Sequence, residues 1–131
     1  MVLVDGHNLL FALRARFAEH LVEGHPGADA REALVQALLD AFADAADLVR
    51  IYFDGATPHR EQRSAQVEVI YPGGAGDQRA DRAILRDLTE RPDEFPVGAI
   101  TVVTRDIKLA RRARKRGATI VDPEAFFAER T

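Results

Sequence analysis

The chain of 131 residues contains no cysteine and no long apolar run. Without cysteine there is no disulfide framework, no cysteine–zinc site, no iron–sulfur cluster and no cysteine nucleophile. No apolar run approaches the roughly 18 to 20 residues that span a bilayer. The opening residues 1–6 lack the basic start of a secretory signal. We therefore expect a cytoplasmic protein that does not act at a membrane.

The residues that are present suit a single globular domain. Apolar residues make up 47% of the chain, which is enough to bury a core, and charged residues make up 30%. A length of 131 residues matches a typical domain, and the chain contains no evident repeat or long linker. The expectation is one domain over 1–131, as a monomer or homodimer.

Charge is unevenly distributed along the chain, although the formal net charge is only −3. The first 47 residues hold eight acids and three bases, whereas 105–116 holds seven bases and one acid. The mildly acidic total argues against a protein that coats nucleic acid through bulk charge, but it allows a local basic surface.

Short apolar segments alternate with amphipathic ones, which predicts alternating strands and helices. The predicted strands are 2–4, 48–53, 67–71, 100–103 and 119–121. Helices are predicted over 9–22, from the cap Asp29 to residue 45, over 79–89 and over 107–116. Gly117 is predicted to end the fourth of these helices, and Asp122 with Pro123 to begin a fifth. This pattern predicts an α/β fold: a three-layer α/β/α sandwich with a mostly parallel sheet of about five strands. In such sheets the ligand site lies beyond the carboxyl ends of the strands.

Aspartates follow four of the predicted strands or open the helices after them. Asp5, Asp54 and Asp106 follow the first, second and fourth strands, and Asp77 and Asp81 follow the third. One aspartate in such a place is often only a turn residue or a helix cap. Several on one sheet edge repel each other, however, and a divalent cation is the usual compensation.

Hard oxygen ligands favour Mg²⁺ or Mn²⁺, and the four scattered histidines show no spacing typical of a zinc site. A metal held by carboxylates can polarise a phosphate and lower the pKa of bound water. We predict Asp5, Asp81 and Asp106 as the metal-binding and catalytic set, with Asp54 beside it or at a second metal. Asn8 and Thr104 are predicted to orient a water or a substrate oxygen. His7 either contacts substrate or lies on a surface loop.

Four motifs in this order resemble the YacP-like branch of the NYN domains, in the PIN-like nuclease superfamily. They are Val-Asp-Gly-x-Asn at 4–8, Phe-Asp-Gly at 53–55, Ala-Asp-x-x-Ile at 80–84 and Val-Val-Thr-x-Asp at 102–106. The resemblance runs from residue 2 to about residue 127. It implies a PIN-like fold and a metal-dependent ribonuclease, and its motif positions are Asp5, Asn8, Asp54, Asp81, Thr104 and Asp106.

The chain departs from this family pattern around Asp81. Family members often carry a second acid where this chain has Arg82, and a hydroxyl residue where it has Arg79. Asp77 lies four residues before Asp81, on the same face of a helix, and is therefore predicted as an alternative metal ligand.

If the substrate is RNA, basic side chains must contact its phosphates. The basic segment offers Lys108, Arg111 and Arg112 at helical spacing, which predicts either a phosphate-binding stripe or a solvated helix face. Further candidates are Arg60 and Arg63, in a predicted loop at 58–64 on the side of the site, and Arg79 and Arg82 on either side of Asp81. Both tyrosines, Tyr52 and Tyr71, are expected to pack in the core.

Two functions remain open from the sequence. The first is a metal-dependent endoribonuclease, and the alternative is an RNA-binding module with weak or no catalytic activity, which Arg82 favours. A phosphatase or nucleotide-binding protein is disfavoured, because the chain has neither a P-loop nor an Asp-x-Asp pair after its first strand.

Overall fold

A central six-stranded sheet organises the computed structural model of the chain, which describes residues 1–22, 25–55, 57–74, 79–90 and 100–129. The sheet strands are β1 (Val2–Asp5), β4 (Val49–Tyr52), β5 (His59–Gln62), β6 (Val67–Tyr71), β7 (Thr101–Val103) and β8 (Thr119–Val121). A separate short antiparallel pair is formed by β2 (Leu21–Val22) and β3 (His25–Pro26). The helices are α1 (Gly6–Ala12), α2 (Ala28–Ala41), α3 (Arg79–Thr89), α4 (Ile107–Lys115) and α5 (Pro123–Ala128).

Strand order in the main sheet is β5-β6-β4-β1-β7-β8. The five strands from β6 to β8 pair in parallel, and β5 pairs with β6 in the antiparallel sense. The prediction of a mostly parallel sheet in an α/β fold is therefore confirmed. Strand β1 lies inside the sheet with β4 and β7 as neighbours, so the carboxyl ends of these three strands meet at one edge.

Two hydrophobic cores cover the two faces of the sheet, because alternate strand residues point to opposite sides. Val4, Ile51 and Val69 belong to the core packed under α1, α2 and α5. Leu3 and Tyr52 belong to the core packed under α3 and α4. Strands with both faces covered explain the nearly continuous apolar runs seen in the sequence.

The segment 58–64 was predicted as a loop on the side of the site, and this is wrong. Residues His59–Gln62 form the antiparallel edge strand β5, in which His59 pairs with Tyr71 and Gln62 with Glu68. The strand therefore runs away from the carboxyl edge of the parallel strands. The Arg63 backbone N–H bonds Val67 O, at the start of β6 and so at the opposite edge of the sheet.

The helix predicted over 9–22 is much shorter in the structure. It spans Gly6–Ala12, and turns, a short 3₁₀ segment (Ala18–His20) and β2 follow. Leu13 and Phe17 are still buried, and the Phe17 N–H bonds the Leu13 carbonyl at 3.3 Å. The four-residue spacing of Leu13 and Phe17, which predicted a longer helix, thus reflects a single turn that buries both side chains.

The predicted ends of the helices are confirmed at the C-terminal half of the chain but not at α2. Gly117 follows α4 with φ +91°, and Asp122 caps α5 by accepting the Glu124 N–H at 3.0 Å. Helix α2 instead has Gly27 as its N-cap, ends at Ala41 rather than residue 45, and places Asp29 inside its first turn. No described helix is long and apolar enough to cross a membrane.

Candidate active site

The carboxyl edge of β1, β4 and β7 gathers the predicted acids. Asp5 is the last residue of β1, Asp54 lies two residues after β4, and Asp106 lies three residues after β7 as the N-cap of α4. Asp81 lies in the first turn of α3. The parallel sheet thus brings together side chains that are far apart in sequence.

Gly6 allows α1 to begin directly after Asp5. A Cβ atom at this position would lie 2.4 Å from Phe53 Cε1 and 2.8 Å from the Tyr52 carbonyl oxygen. Contacts this short do not occur in folded proteins, so only glycine permits β1 and β4 to approach this closely at the site. The glycine of the Asp-Gly-x-Asn motif therefore positions Asp5 by packing.

The Thr104 hydroxyl connects the first and fourth motifs. Its oxygen lies 3.2 Å from Asp5 Oδ2 and 3.3 Å from Asn8 Oδ1, so its single proton is shared between two acceptors. The same oxygen accepts the Asp106 N–H at 3.1 Å. Asn8 Oδ1 also accepts the Arg105 N–H at 2.6 Å, which ties α1 to the segment after β7.

Burial makes the negative charge of Asp5 costly. Asp5 is 5% exposed, and it and Thr104 are the two buried polar residues of the described parts of the chain. Burial is the main reason that the pKa of Asp5 is raised to about 6. The hydrogen bond from Thr104 lowers this pKa, and the negative charges of Asp106 and Asp54 raise it.

Asp81 belongs to the same electrostatic cluster. Its pKa is raised to about 7, and burial is the largest cause. Repulsion from Asp5 and Asp106 and a hydrogen bond with the Asp106 carboxylate raise the pKa further. Asp54 contributes a smaller repulsion. The four predicted carboxylates therefore act on one another, as the strand-end argument requires.

Asp54 joins the site to α3 and to His7. Its Oδ1 accepts the Ala80 N–H at 2.8 Å, and its Oδ2 lies 3.7 Å from His7 Nδ1. His7 lies on α1 rather than on a loop, and its side chain is 24% exposed. Burial lowers the pKa of His7, Asp54 raises it, and the charge of Arg31 lowers it further.

The donor chemistry of this cluster fits a hard divalent cation. Within the described residues, no group of three or more His, Cys, Asp or Glu side chains is arranged to hold a metal ion by itself. Mg²⁺, however, usually keeps several waters and takes only one or two protein carboxylates. Buried carboxylates with raised pKa values are the groups that a cation would stabilise most. The alternative ligand Asp77 lies outside the described residues.

The predicted phosphate-binding arginines fall into two groups. Arg79 and Arg82 line a cavity of about 260 Å³ together with Arg86 and the segment 72–74, and Arg79 Nη1 donates to the Gly74 carbonyl at 2.8 Å. Arg60 and Arg63 are instead bonded to carboxylates, Arg60 to Glu68 at 2.8 Å and Arg63 to Glu32 at 2.8 Å. The structure does not bring these last two to the aspartates.

The basic helix α4 starts at the site. Asp106 Oδ1 accepts the N–H groups of Lys108 and Leu109 at 2.9 and 3.2 Å, so this carboxylate also caps the helix. Lys108, Arg111 and Arg112 are exposed, while Leu109 and Ala113 pack in the core. The stripe therefore faces solvent, and its first residue follows the acidic cluster directly.

Sequence reasoning missed two residues at this edge. Tyr71 was expected to pack in the core, as Tyr52 does; it packs against the core but is only partly buried and also lines a groove. Arg86 was not considered, although its spacing of four residues from Arg82 predicts a shared helix face. For Tyr71, the signal in the sequence is the Pro-Gly-Gly segment at 72–74, which ends its strand and so places Tyr71 at the edge of the sheet.

Comparisons with known proteins bear on the fold and on the family of the chain. The chain resembles two crystal structures of Rae1 (YacP) from Bacillus subtilis, one of them of the W164L mutant. The mutant gives a TM-score of 0.74 at 22% identity, and the other structure gives 0.72 at 21%. Each comparison covers 98% of this chain and 72% of the other, so the chain shares the fold of these structures.

No curated protein matches the sequence of the chain. The family model for the YacP-like NYN domain matches residues 2–131, nearly the full length. The motifs that suggested this family are the ones that meet at the carboxyl edge of the sheet. The chain therefore belongs to the YacP-like NYN domain family.

Proposed function

We propose that the protein is a metal-dependent endoribonuclease. The observation that carries this proposal is the meeting of Asp5, Asp81 and Asp106 at one edge of the sheet, where burial first and repulsion between the carboxylates second raise the pKa of Asp5 and Asp81 well above the ordinary value of 3.8. Such a cluster is unfavourable unless a proton or a cation neutralises it. Membership of a nuclease family makes a cation with a catalytic role the better explanation.

Asp5, Asp81 and Asp106 would hold Mg²⁺ or Mn²⁺, directly or through waters, with Asp54 beside them. Bound at these carboxylates, either ion supplies positive charge that polarises a phosphodiester and lowers the pKa of a bound water. The remaining groups then have to position the substrate and the ligands.

Thr104 and Asn8 are suited to that positioning. The Thr104 hydroxyl restrains both Asp5 and the backbone at Asp106. The Asn8 side-chain oxygen accepts a hydrogen bond from the Arg105 N–H, and this bond fixes the orientation of the amide. The NH₂ group of the amide is then the donor that would bind a phosphate oxygen. Both side chains thus act through hydrogen bonds and not through charge.

Phosphate contacts on either side of the cluster would hold the RNA. Arg79 and Arg82, joined by Arg86, offer guanidinium groups in one cavity beside α3, and guanidinium binds phosphate in a bidentate manner. Lys108, Arg111 and Arg112 offer a second set along α4. Arg60 and Arg63 contribute less to this proposal, because both are already neutralised by carboxylates.

The alternative is an RNA-binding module with weak or no activity. Arg82 in place of a second acid favours it. Binding of RNA without cleavage is the behaviour that separates this alternative from the nuclease.

A cleavage assay tests the proposal. A labelled single-stranded RNA should be cut in the presence of Mg²⁺ or Mn²⁺ and should stay intact in EDTA. Asp5→Asn and Asp81→Asn should each reduce cleavage by at least 100-fold, on the order expected for loss of a metal ligand, with an unchanged circular dichroism spectrum. Asp47→Asn is the matched control, because Asp47 is exposed and precedes β4 at the opposite edge.

Two results would decide against the nuclease. Cleavage that persists in EDTA, or that survives in both Asp5→Asn and Asp81→Asn, contradicts the role of the acidic cluster. RNA binding with no cleavage under either metal establishes the binding module instead.

A further inference from the structure

We propose that a row of rings on the sheet edge, together with the groove beside it, binds a nucleobase of single-stranded RNA next to the acidic cluster. This subsite rests on the proposed function, since it needs RNA as the substrate. The row consists of His7, Phe53, Tyr71 and His59, and we call it the aromatic row.

The aromatic row is continuous. Ring centroids are separated by 5.4 Å from His7 to Phe53, by 5.7 Å from Phe53 to Tyr71, and by 6.3 Å from Tyr71 to His59. Phe53 is fully buried and contacts the rings of His7 and Tyr71, whereas His59 is 59% exposed and Tyr71 is partly exposed. The accessible parts of Tyr71 and His59 offer aromatic surface of the kind on which unstacked RNA bases pack.

One end of the aromatic row lies at the proposed catalytic centre. His7 Nδ1 is 3.7 Å from Asp54 Oδ2, and Asp54 acts electrostatically on both Asp5 and Asp81. The row then follows the carboxyl ends of β4 and β6 to the beginning of β5. A strand of RNA with its phosphate at the aspartates can therefore place a neighbouring base on the row.

A groove of about 300 Å³ lies beside Phe53 and Tyr71, between α2 and the sheet. Polar groups line it as well, and they are Arg31, Glu32, Glu61 and Arg63. The buried Arg31 Nε has no hydrogen-bond partner within the described structure. This atom is closed to solvent, so the groups that a base in the groove can contact are the accessible parts of the four polar side chains.

The charge of the groove favours a base over a phosphate. Two arginines and two glutamates line it, and Arg63 is bonded to both glutamates, at 2.8 Å to Glu32 and 3.1 Å to Glu61. The groove is therefore nearly neutral and presents donors and acceptors beside an aromatic wall. The cavity with Arg79, Arg82 and Arg86 is the opposite case, because three cations line it without an acid among its described lining residues.

Fluorescence of 2-aminopurine tests the subsite without requiring cleavage. The probe is a single-stranded RNA with 2-aminopurine at one position, moved stepwise along the strand, and titrated with full-length protein in EDTA. Stacking on a ring quenches the fluorophore, so quenching should occur at one or two adjacent positions only. Removal of the base at that position should weaken binding by about tenfold.

Paired variants assign the effect to Tyr71. Tyr71→Phe keeps the ring and should bind like the wild type, whereas Tyr71→Leu keeps apolar bulk but should weaken binding about tenfold and abolish the quenching. His59→Ala, at an exposed position where folding is not at risk, should give a smaller loss. Leu48→Ala removes an exposed apolar side chain before β4 and should change nothing.

The outcomes separate the subsite from the proposed function. RNA that binds and is cleaved, but shows no position-dependent quenching or the same affinity for Tyr71→Leu and Tyr71→Phe, overturns the subsite alone. Quenching in EDTA that depends on Tyr71, together with no cleavage when Mg²⁺ or Mn²⁺ is added, supports the subsite and overturns the nuclease. No RNA binding at all overturns both.

Discussion

At the scale of single residues, Asp5 carries two properties that conflict in the absence of a cation. It is nearly inaccessible to solvent, and it faces other carboxylates. Neutral donors offset this cost in part, namely the Thr104 hydroxyl and the Asn8 backbone N–H. A protein that keeps such a residue gives up stability for a function, which is typical of active sites.

The raised pKa of Asp5 predicts a pH-dependent stability difference. Because its pKa is about 6 in the folded protein and near 3.8 when unfolded, the folded state binds more protons between these values. Ionisation of Asp5 therefore costs stability as the pH rises through this window. In EDTA, Asp5→Asn should be more stable than the wild type by about 3 kcal/mol at pH 8, and nearly equal to it near pH 4.

Urea unfolding of the two proteins at pH 4, 6 and 8 measures this difference. Comparison with the wild type removes the opposing contribution of His7, whose lowered pKa destabilises the fold as the pH falls. Asp47→Asn, at an exposed site, should show no such pH-dependent gain. A wild type that is as stable as Asp5→Asn at pH 8 would mean that the Asp5 charge is well solvated.

At the scale of elements, the sequence predicted the strands of the main sheet that carry apolar side chains and missed β5, which carries none, together with the short pair β2 and β3. Apolar side chains mark residues 2–4, 67–71 and 119–121 as strands. All four residues of β5 are exposed, so no hydrophobic alternation marks the strand. Strand β5 is held by its pairing with β6 and by ion pairs such as Arg60–Glu68, and both are tertiary contacts that a local sequence pattern does not show.

The acidic site was more predictable than its surroundings for a related reason. A parallel sheet places every strand end on a known edge, so the positions of Asp5, Asp54 and Asp106 follow from topology alone. The aromatic row depends on ring contacts between β4, β6, β5 and α1. Tyr71 and His59 are paired only through the unpredicted strand, so their proximity could not be derived from the sequence.

Helix α4 predicts a gradient of charge effects on RNA binding. It begins at Asp106 and leads away from the site, so a phosphate near the cluster lies closer to Lys108 than to Lys115. Lys108→Glu should weaken RNA affinity most, Arg111→Glu and Arg112→Glu by about tenfold, and Lys115→Glu least. Each change near the site should also reduce the dependence of affinity on salt concentration.

Fluorescence anisotropy with labelled RNA at several salt concentrations measures this gradient. All four variants change the net charge equally, so they serve as controls for one another. Equal losses at Lys108 and Lys115 would indicate bulk attraction and not an oriented interface. Unchanged affinity in all four would assign this face of the helix to solvent.

At the scale of the whole molecule, the site lies where the two helical layers meet the edge of the sheet. Asn8 belongs to α1 on one face of the sheet, Asp81 and Asp106 belong to α3 and to the start of α4 on the other face, and Asp5 ends β1 in the sheet itself. Thr104 and Asp54 join these layers through hydrogen bonds to Asp5 and to the Ala80 N–H. The sheet order explains this convergence, because β1 lies between β4 and β7.

The central claim is that these acids form one cation-dependent site, and a calorimetric titration with Mn²⁺ at pH 8 tests it most directly. The wild type and Asp47→Asn should bind Mn²⁺ saturably, and Asp5→Asn and Asp81→Asn should bind it at least tenfold more weakly. Equal Mn²⁺ binding by all four proteins, or no binding by the wild type, would contradict the claim.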